Sequence, residues 1–344
     1  KKKKLLDCTS NYTFREISEF LIKKGLFFNV TPGSSSVTIG GAISNDVHGK
    51  NHHIDGTFTN YLREMTLITP EGKILTCSKK KNKELFEATC GGAGLTGVIT
   101  SVKIDLLKVK SKNIDVSIST TLNLRDTIKK FKELKNQKYL VAWMDTINTK
   151  NFGRSIIISG THSNDNNFNT KRKIMFSLPR IFGKIFLNNF FIKIFNNFYF
   201  FINKNKKNVK QDYNDFFYPL DKITNWNKFY GSKGFTQIQI LIPNKNNTLL
   251  VARKVFSFLN KNNIYSYLTT LKEFGKSNSN FLTFPEKGLT ITLDIPISKN
   301  LINVYPILEK VLLKYKVKIY LAKDSYMSKN FFNKTYHRLN KFLK

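Results

Sequence analysis

Residues 32–53 read PGSSSVTIGGAISNDVHGKNHH. Small residues gather at Gly33, Ser34, Ser35, Gly40, Gly41 and Ala42. With so little side-chain bulk, a phosphate or dinucleotide can approach the backbone and be held by its N–H groups. The glycine spacing is not GxGxxG and no Walker lysine follows, so the Rossmann fingerprint and the P-loop both fail here. His48, His52 and His53 raise the question of a metal, but no Cys or Glu completes a set at ligand spacing and Asp46 stands alone. No metal is expected.

Two further segments share this character. Phe86 to Ile99, FEATCGGAGLTGVI, is another loop that allows close approach, and Tyr320 to Ser325, YLAKDS, sets a lysine between an apolar run and a polar turn. Taken singly, each has a plain structural reading, as a tight turn or as a solvated surface lysine.

The chain has 344 residues, enough for two domains with separate cores. Hydrophobic residues make up 41%, which fits a globular protein and excludes wholesale disorder. No uninterrupted run of eighteen apolar residues occurs, so a spanning helix is not expected. Lys1 to Lys4 lead into Leu5 and Leu6 without an apolar h-region, which is not a secretory signal. With 57 Lys and Arg against 23 Asp and Glu, the formal charge is +34. Such a field attracts polyanions, nucleic acid or an anionic membrane. However, Lys, Asn, Ile and Phe are abundant together, as an AT-rich genome would produce, so the charge is not diagnostic. No helix-turn-helix, zinc finger or RNP motif is visible, and no specific nucleic-acid partner is expected. Cys8, Cys77 and Cys90 show no CxxC spacing, which argues against a disulfide framework and fits a reducing, cytoplasmic compartment.

Along the chain, hydrophobic periodicity predicts a helix over 13–24 stopped by Gly25, a strand over 61–69 with a hairpin partner at 73–77, a short helix at 83–88 and a strand over 98–109. From about residue 110 the elements lengthen into an α+β module. Strands are expected at 115–120, 139–145, 154–159, 234–243, 288–296 and 316–321, with helices at 124–134, 248–260 and 304–315 and one more at the end. The stretch 181–207, IFGKIFLNNFFIKIFNNFYFFINKNKK, is either a core helix in an Asn-rich chain or a mobile, membrane-facing segment, apolar on one side and basic at its ends.

GGAISNDVHGKNHH, FEATCGGAGLTGVI and YLAKDS, in that order, resemble the FAD-binding oxidases of the vanillyl-alcohol-oxidase (PCMH-type) superfamily. Within it the likeness is to the decaprenylphosphoryl-β-D-ribose 2-oxidase branch. FFYPLDKITNWNKFYGSKGFTQIQILIP, YSYLTTLKEFG and GLTITLDIP follow in the order that branch requires. The resemblance runs from about Leu5 to the C-terminus and is weakest between 110 and 210. It implies an α+β fold: the second subdomain of a PCMH-type FAD-binding domain over 1–109, an α+β substrate domain with an antiparallel sheet over 110–317, and a return to the FAD domain over 318–344.

What the resemblance implies for individual residues follows. Pro32, Gly33, Ser34 and Thr38 correspond to positions near the FAD phosphates and ribityl chain. Gly41, His48 and Gly49 lie in the stretch beside the flavin, and Gly94 to Ile99 along the adenine side. Lys323 matches a lysine beside flavin and substrate, with Tyr320 just before it. Gln237, Gln239 and Lys272 fall where the branch lines its sugar pocket, with Trp143, Phe217 and Lys228 as looser matches. Thr290 and Thr292 occupy the pocket strand, Thr292 where a Cys is frequent. The implied chemistry is oxidation of a sugar hydroxyl on a polyprenyl-phosphate-linked pentose, the oxidative half of an epimerisation in cell-envelope arabinose supply, with a reductase as partner. Hydride passes to the flavin while a base takes the hydroxyl proton. A fixed Lys323 ammonium would stabilise reduced flavin, and Lys272 would pair with substrate phosphate. His48 and Lys323 are both candidates for the base, and His48 is also a candidate for orienting flavin.

Other readings stay open: an aldonolactone or alditol oxidase of the same superfamily, or a flavin-free relative that binds anionic lipid or nucleic acid. The first FAD subdomain and its pyrophosphate loop have no counterpart before Lys1, and the extension after the last helix is missing too. A fragment that holds FAD weakly by itself is therefore expected. The segment 185–210 is expected to contact the inner membrane peripherally or to act as a lid.

Overall fold

Val98–Lys108 (β5) is the axis of the first domain. In the computed structural model, which describes residues 4–147, 152–169, 176–177, 188–204, 208–230 and 232–344, β1 (Leu5–Thr9) pairs along one edge of β5, and β2 (Leu26–Phe28) pairs with the end of β5 at Leu106–Lys108. β3 (Leu62–Ile68) pairs along the other edge and carries β4 (Ile74–Ser78) beyond it, so the sheet reads β1-β5-β3-β4 with β2 beside β5. Gly97 opens β5 at φ +138°, where an added Cβ would lie 2.2 Å from the Ile68 carbonyl oxygen. Only glycine lets β5 start that close to β3.

The helix Phe14–Ile22 begins at a capping box: the Thr13 hydroxyl accepts from the Glu16 amide and Glu16 accepts from the Thr13 amide at 2.8 Å. Phe14, Ile17 and Leu21, at helical spacing, then turn into a core shared with Phe28, Ile39, Phe58, Met65 and Val102.

The second domain is built on β6 (Asn113–Thr121), β7 (Tyr139–Met144), β8 (Ser155–His162), β10 (Asn208–Asp212), β12 (Phe235–Pro243), β13 (Leu268–Phe274), β14 (Gly288–Pro296) and β15 (Lys318–Ile319). A separate parallel pair joins β9 (Phe176–Ser177) to β11 (Ile223–Thr224). The eight strands run in the order β10-β6-β8-β7-β13-β14-β12-β15, and each pairing in this sheet is antiparallel. The α+β class with antiparallel sheets is what the sequence implied.

Alternation gives this sheet two distinct faces. Ile238, Ile240 and Ile242 of β12, Leu289, Ile291, Leu293 and Ile295 of β14, Leu271 of β13 and Ala142 of β7 point to one side. The helices Leu124–Glu133, Thr248–Lys261 and Lys299–Lys314 cover that side through Leu124, Val251, Val255, Leu301 and Leu308 among others. The last helix starts five residues before the predicted Val304. Ser298 caps it, its hydroxyl accepting from the Leu301 amide at 3.1 Å, and Pro306 is tolerated inside. Conversely, the strand expected over 316–321 contracts to Lys318–Ile319.

The other face turns toward the first domain. At one end Tyr139, Ile114 and Val116 meet Phe27 and Ile22 of the first domain, and Phe217 stacks on Phe27 at 5.3 Å. At the other end lies the helix Asn189–Lys204, which sets Ile192, Asn196, Phe200 and Asn203 against the sheet and the rest of its face outward. Polar contacts also join the domains. The buried Asp46 carboxylate accepts from Thr59 Oγ1 (2.5 Å), Asn278 Nδ2 (2.7 Å) and Thr283 Oγ1 (3.3 Å). Residues 318–344 reach the first domain through side chains: Tyr320 donates its hydroxyl to the Asn45 carbonyl at 2.6 Å.

Candidate active site

Between the two ends of that second face lies a polar strip. Register places Gln237 opposite Asp294 and Gln239 opposite Thr292 across β12 and β14, and Lys272 opposite Thr290 and Thr270 opposite Thr292 across β13 and β14. Trp143 of β7 is opposite Thr270. Period-two alternation therefore brings Gln237, Gln239, Lys272, Thr290, Thr292 and Asp294 to one side of three neighbouring strands.

The first domain faces the strip with His48. Gln239 Nε2 lies 2.9 Å from His48 Nε2 and 2.9 Å from Thr290 Oγ1. Thr290 gives its own hydroxyl proton to the Ile240 carbonyl at 2.9 Å, so toward Gln239 it can only accept. The Gln239 atom between them must then be the amide nitrogen, donating to both. This assigns the His48 tautomer: Nε2 accepts and Nδ1 carries the proton. His52 is fixed in the opposite sense, since its Nδ1 accepts from the Gly275 amide at 3.1 Å and Nε2 is left as donor. Gly275 is required there, because a Cβ would stand 2.9 Å from the His53 carbonyl oxygen. Around the two imidazoles, Phe274 approaches His52 at 4.3 Å and His48 at 4.7 Å, while Tyr320 lies 5.1 Å from His48 and stacks on Phe284 at 4.8 Å.

The apolar setting controls protonation. Burial, then the charges of Lys272, His52 and Lys323, hold His48 well below the ordinary imidazole range. Burial takes His52 down to about 3, assisted by Lys272 and His53. Both rings are neutral at physiological pH. Burial also lowers the lysines: Lys50 to about 7 and Lys323 to about 8, the latter opposed by Asp294. Lys272 falls well below its usual value, through burial and then Lys323 and Lys50. Among the described residues none of these three ammonium groups has a carboxylate within ion-pair distance. Lys50 instead donates to the carbonyls of Phe216 and Phe217.

His48 Nδ1, His52 Nε2 and Gln239 Oε1 are buried without a hydrogen-bond partner. Buried polar groups are nearly always paired, so three orphans on neighbouring side chains call for a ligand. Two N–H donors and one carbonyl acceptor among aromatic rings fit the acceptor-rich, N–H-bearing edge of an isoalloxazine. The residues present thus suit a flavin.

Of the residues singled out in the sequence, His48, Gln237, Gln239, Lys272, Thr290, Thr292, Tyr320 and Lys323 come together here. Others serve differently. Ser34 Oγ, Ser35 Oγ and the Ser35 amide all donate to the Asp221 carboxylate at 2.6–2.9 Å. The loop after Pro32 therefore holds an anion, and that anion belongs to the second domain. Gly33 leaves open space beside it. Thr38 is the N-cap of the helix Ile39–Ser44, its hydroxyl accepting from the Gly41 amide at 3.1 Å. Gly49 allows contact with the Thr31 carbonyl, where a Cβ would lie at 2.8 Å. Gly94 is a left-handed turn at φ +79°, and Ile99 packs into the first core. Phe217 belongs to the interdomain core, Trp143 packs under Phe200 and Tyr199, and Lys228 lies on the 3-10 turn Trp226–Tyr230. Lys50 and Asp294 were not singled out, and His52 was weighed only as a metal ligand, although GLTITLDIP, by its alternation, places Asp294 on the face of Thr290 and Thr292.

Comparison with known proteins points to the same cofactor. A family model described as an FAD binding domain matches residues 2–78. A decaprenylphosphoryl-β-D-ribose oxidase of Mycolicibacterium smegmatis is 29% identical along 99% of this chain and 76% of its own length. An uncharacterized protein of Streptomyces coelicolor is 34% identical over 33% of this chain and 30% of its own length. Cytokinin dehydrogenase 3 of Arabidopsis thaliana is 40% identical over 25% of this chain and 17% of its own length. Residues 2–78 therefore carry an FAD-binding domain of the PCMH type, and the cofactor is FAD.

Proposed function

We propose that the chain oxidises a sugar hydroxyl of a polyprenyl-phosphate-linked pentose, the oxidative half of an epimerisation that a partner reductase completes. The observation that carries this reading is the convergence of Lys272, Lys323 and Lys50, three half-buried ammonium groups that make no ion pair among the described residues and have Asp294 as the one carboxylate acting on them. Crowded ammonium groups in a dry setting are costly unless an anion joins them. A substrate phosphate supplies that charge, and a free alditol or aldonolactone does not.

FAD supplies the hydride acceptor. His48, as a neutral Nδ1–H donor, and His52, through Nε2–H, would hold and orient the flavin. The Lys323 ammonium would stabilise negative charge on reduced flavin. Lys272 binds the phosphate as a point charge, and Gln237 hydrogen-bonds a sugar hydroxyl. Phe274, Phe284 and Tyr320 keep water from the reacting carbon.

A polyprenyl chain must be drawn from a bilayer. The helix Asn189–Lys204 adjoins the strip through Tyr199, 5.2 Å from Trp143, and exposes Phe190 (67%), Phe198 (63%) and Phe201 (67%). We assign this face to peripheral contact with anionic lipid, with Lys193 and Lys204 near the headgroups. Lys210 is already paired with Asp165 at 2.8 Å, and Ile185, Lys206 and Lys207 lie outside the described residues. No helix among the described residues is long and apolar enough to cross a membrane.

Anaerobic mixing of the FAD-loaded protein with a polyprenyl-phosphoryl pentose, the free pentose and an alditol tests the reading. Flavin bleaching by the phosphorylated substrate alone is the expected result. Equal bleaching by the alditol would replace this substrate with that of an alditol oxidase.

A further inference from the structure

The polar strip contains one carboxylate, Asp294 of β14, and the roles given so far leave it unused. It is 1% exposed. One oxygen, Oδ1, accepts from Gln237 Nε2 at 2.5 Å, and the backbone N–H donates to Ser266 Oγ at 3.1 Å. The other oxygen, Oδ2, is buried and has no hydrogen-bond partner. An ionised carboxylate in that position calls for a donor from outside the chain, because an unpaired buried charge is among the costliest groups a fold can carry. Mixed polar and charged neighbours surround it: Gln237 on β12, Lys323 on the turn Leu321–Lys323, and Tyr230 on the turn Trp226–Tyr230, with Tyr267 coupled to Tyr230 and Lys272 coupled to Lys323.

We propose that Asp294 is the proton acceptor of the reaction, taking the substrate's hydroxyl proton onto Oδ2. This rests on the alcohol-oxidase reading above. The carbinol C–H bond breaks with its electron pair leaving as hydride to oxidised FAD, and the O–H bond breaks with its proton passing to Oδ2. The alcohol becomes a ketone, FAD is reduced, and the carboxylic acid later releases its proton to water.

The two other candidates fit this role less well. His48 has no free lone pair in its assigned tautomer: Nε2 accepts from Gln239 and Nδ1 carries the proton. Lys323, lowered only to about 8, is mostly an ammonium at neutral pH. Asp294 is raised to about 6, by burial first, with Gln237 and Lys323 pulling the other way. At neutral pH it is therefore ionised, yet basic enough to hold a proton in the transition state. Gln237 then has a positioning role, presenting Oδ2 to the substrate.

The test compares wild type with Asp294→Asn and Asp294→Glu as FAD-loaded, full-length proteins. In pre-steady-state bleaching with the phosphoryl pentose, Asp294→Asn should slow the flavin reduction rate constant by about 100-fold or more. The wild-type rate should fall on the acid side with a midpoint near 6, and the variant should lose that limb. The second readout needs no substrate. Removing a carboxylate that resists ionisation should raise the thermal midpoint of Asp294→Asn above wild type at pH 7.5, with the gap closing toward pH 4. Asp294→Glu should restore part of the rate. Two results would each overturn the assignment: reduction by Asp294→Asn within about threefold of wild type, or coincident thermal midpoints from pH 4 to 7.5. If only the alditol bleaches the wild type, the lipid-phosphate reading falls, and the same comparison run on the alditol decides Asp294.

Discussion

The two faces of β14 are equally hidden from water and do opposite things. On β14 each residue from Gly288 to Ile295 is buried, but Leu289, Ile291, Leu293 and Ile295 enter the helix-covered core while Thr290, Thr292 and Asp294 face His48 and Lys323. The apolar face gains stability with every methylene removed from water. The polar face keeps orphaned atoms and unpaired ammonium groups, which oppose folding. A fold tolerates such a face when a ligand completes it. The difference teaches where to look for function: among buried residues, in the unsatisfied ones.

Substitutions on each face should therefore separate catalysis from stability. Lys323→Ala should lower turnover by about 100-fold or more, since fixed charge at a developing anion is worth roughly that much. Its thermal midpoint should not fall, because the ammonium makes no ion pair among the described residues and burial already disfavours it. Turnover within about threefold of wild type would remove Lys323 from the mechanism.

Ile291→Ala, one residue from Thr290 but on the other face, should do the reverse. Truncating a fully buried aliphatic side chain costs roughly 2–5 kcal/mol, and Ile291 is 0% exposed in the main core. Urea denaturation should show that loss, while flavin reduction per folded molecule stays near wild type. A strong fall in the reduction rate at unchanged stability would break the division between the faces.

Much of this contrast is legible in local sequence. GLTITLDIP and FTQIQILIP alternate so strictly that both their strands and their faces can be read directly. The capping signals of Thr13 and Glu16 place a helix within a residue or two. Elements whose definition is tertiary are harder to see. Leu5–Thr9 and Leu268–Phe274 are strands because β5 on one side, and β7 and β14 on the other, offer them partners. Pro306 argues for a late helix start, and the packing of Leu301 and Val304 overrides it. In the site, the family likeness reaches His48 and Lys323 but says nothing of which imidazole nitrogen holds the proton. That depends on a chain of partners, Gln239, Thr290 and Ile240, brought together only by folding. The same is true of Asp221, whose pairing with Ser34 and Ser35 joins positions nearly two hundred residues apart.

A third comparison concerns the outer surface. The helix Asn189–Lys204 presents one apolar stripe to the sheet and another to solvent. Replacing Phe198 and Phe201 together with Ser should weaken sedimentation with anionic vesicles by about tenfold or more, since each aromatic loses apolar burial in the interface. The thermal midpoint should be unchanged, as both rings are exposed. Equal vesicle binding by the variant would assign the lipid contact elsewhere.

The smallest effect is the most specific to the polar face. Burial lowers Lys50 to about 7 and Lys323 to about 8, and holds Lys272 well down. Lys318, beneath the Tyr336 ring, is also lowered to about 7 by burial. Between pH 7 and the ordinary lysine range the unfolded chain therefore binds more protons than the folded one. Stability then rises with pH across that window. His48 and His52 are neutral in both states above pH 7 and add no slope there. Above about pH 9 the buried thiols, raised by burial, begin to oppose the trend because the unfolded thiols ionise first. The thermal midpoint should accordingly climb between pH 7 and pH 9, by about 2–4 °C for each kcal/mol gained. Lys272→Met isolates the site's share, since Lys272 makes no hydrogen bond or ion pair that the substitution would lose among the described residues. The variant should melt above wild type at pH 7, and the gap should narrow toward pH 9. A wild-type midpoint that falls over this range, or a gap that stays constant, would mean that the strip's lysines are not held in a dry, anion-seeking site at all.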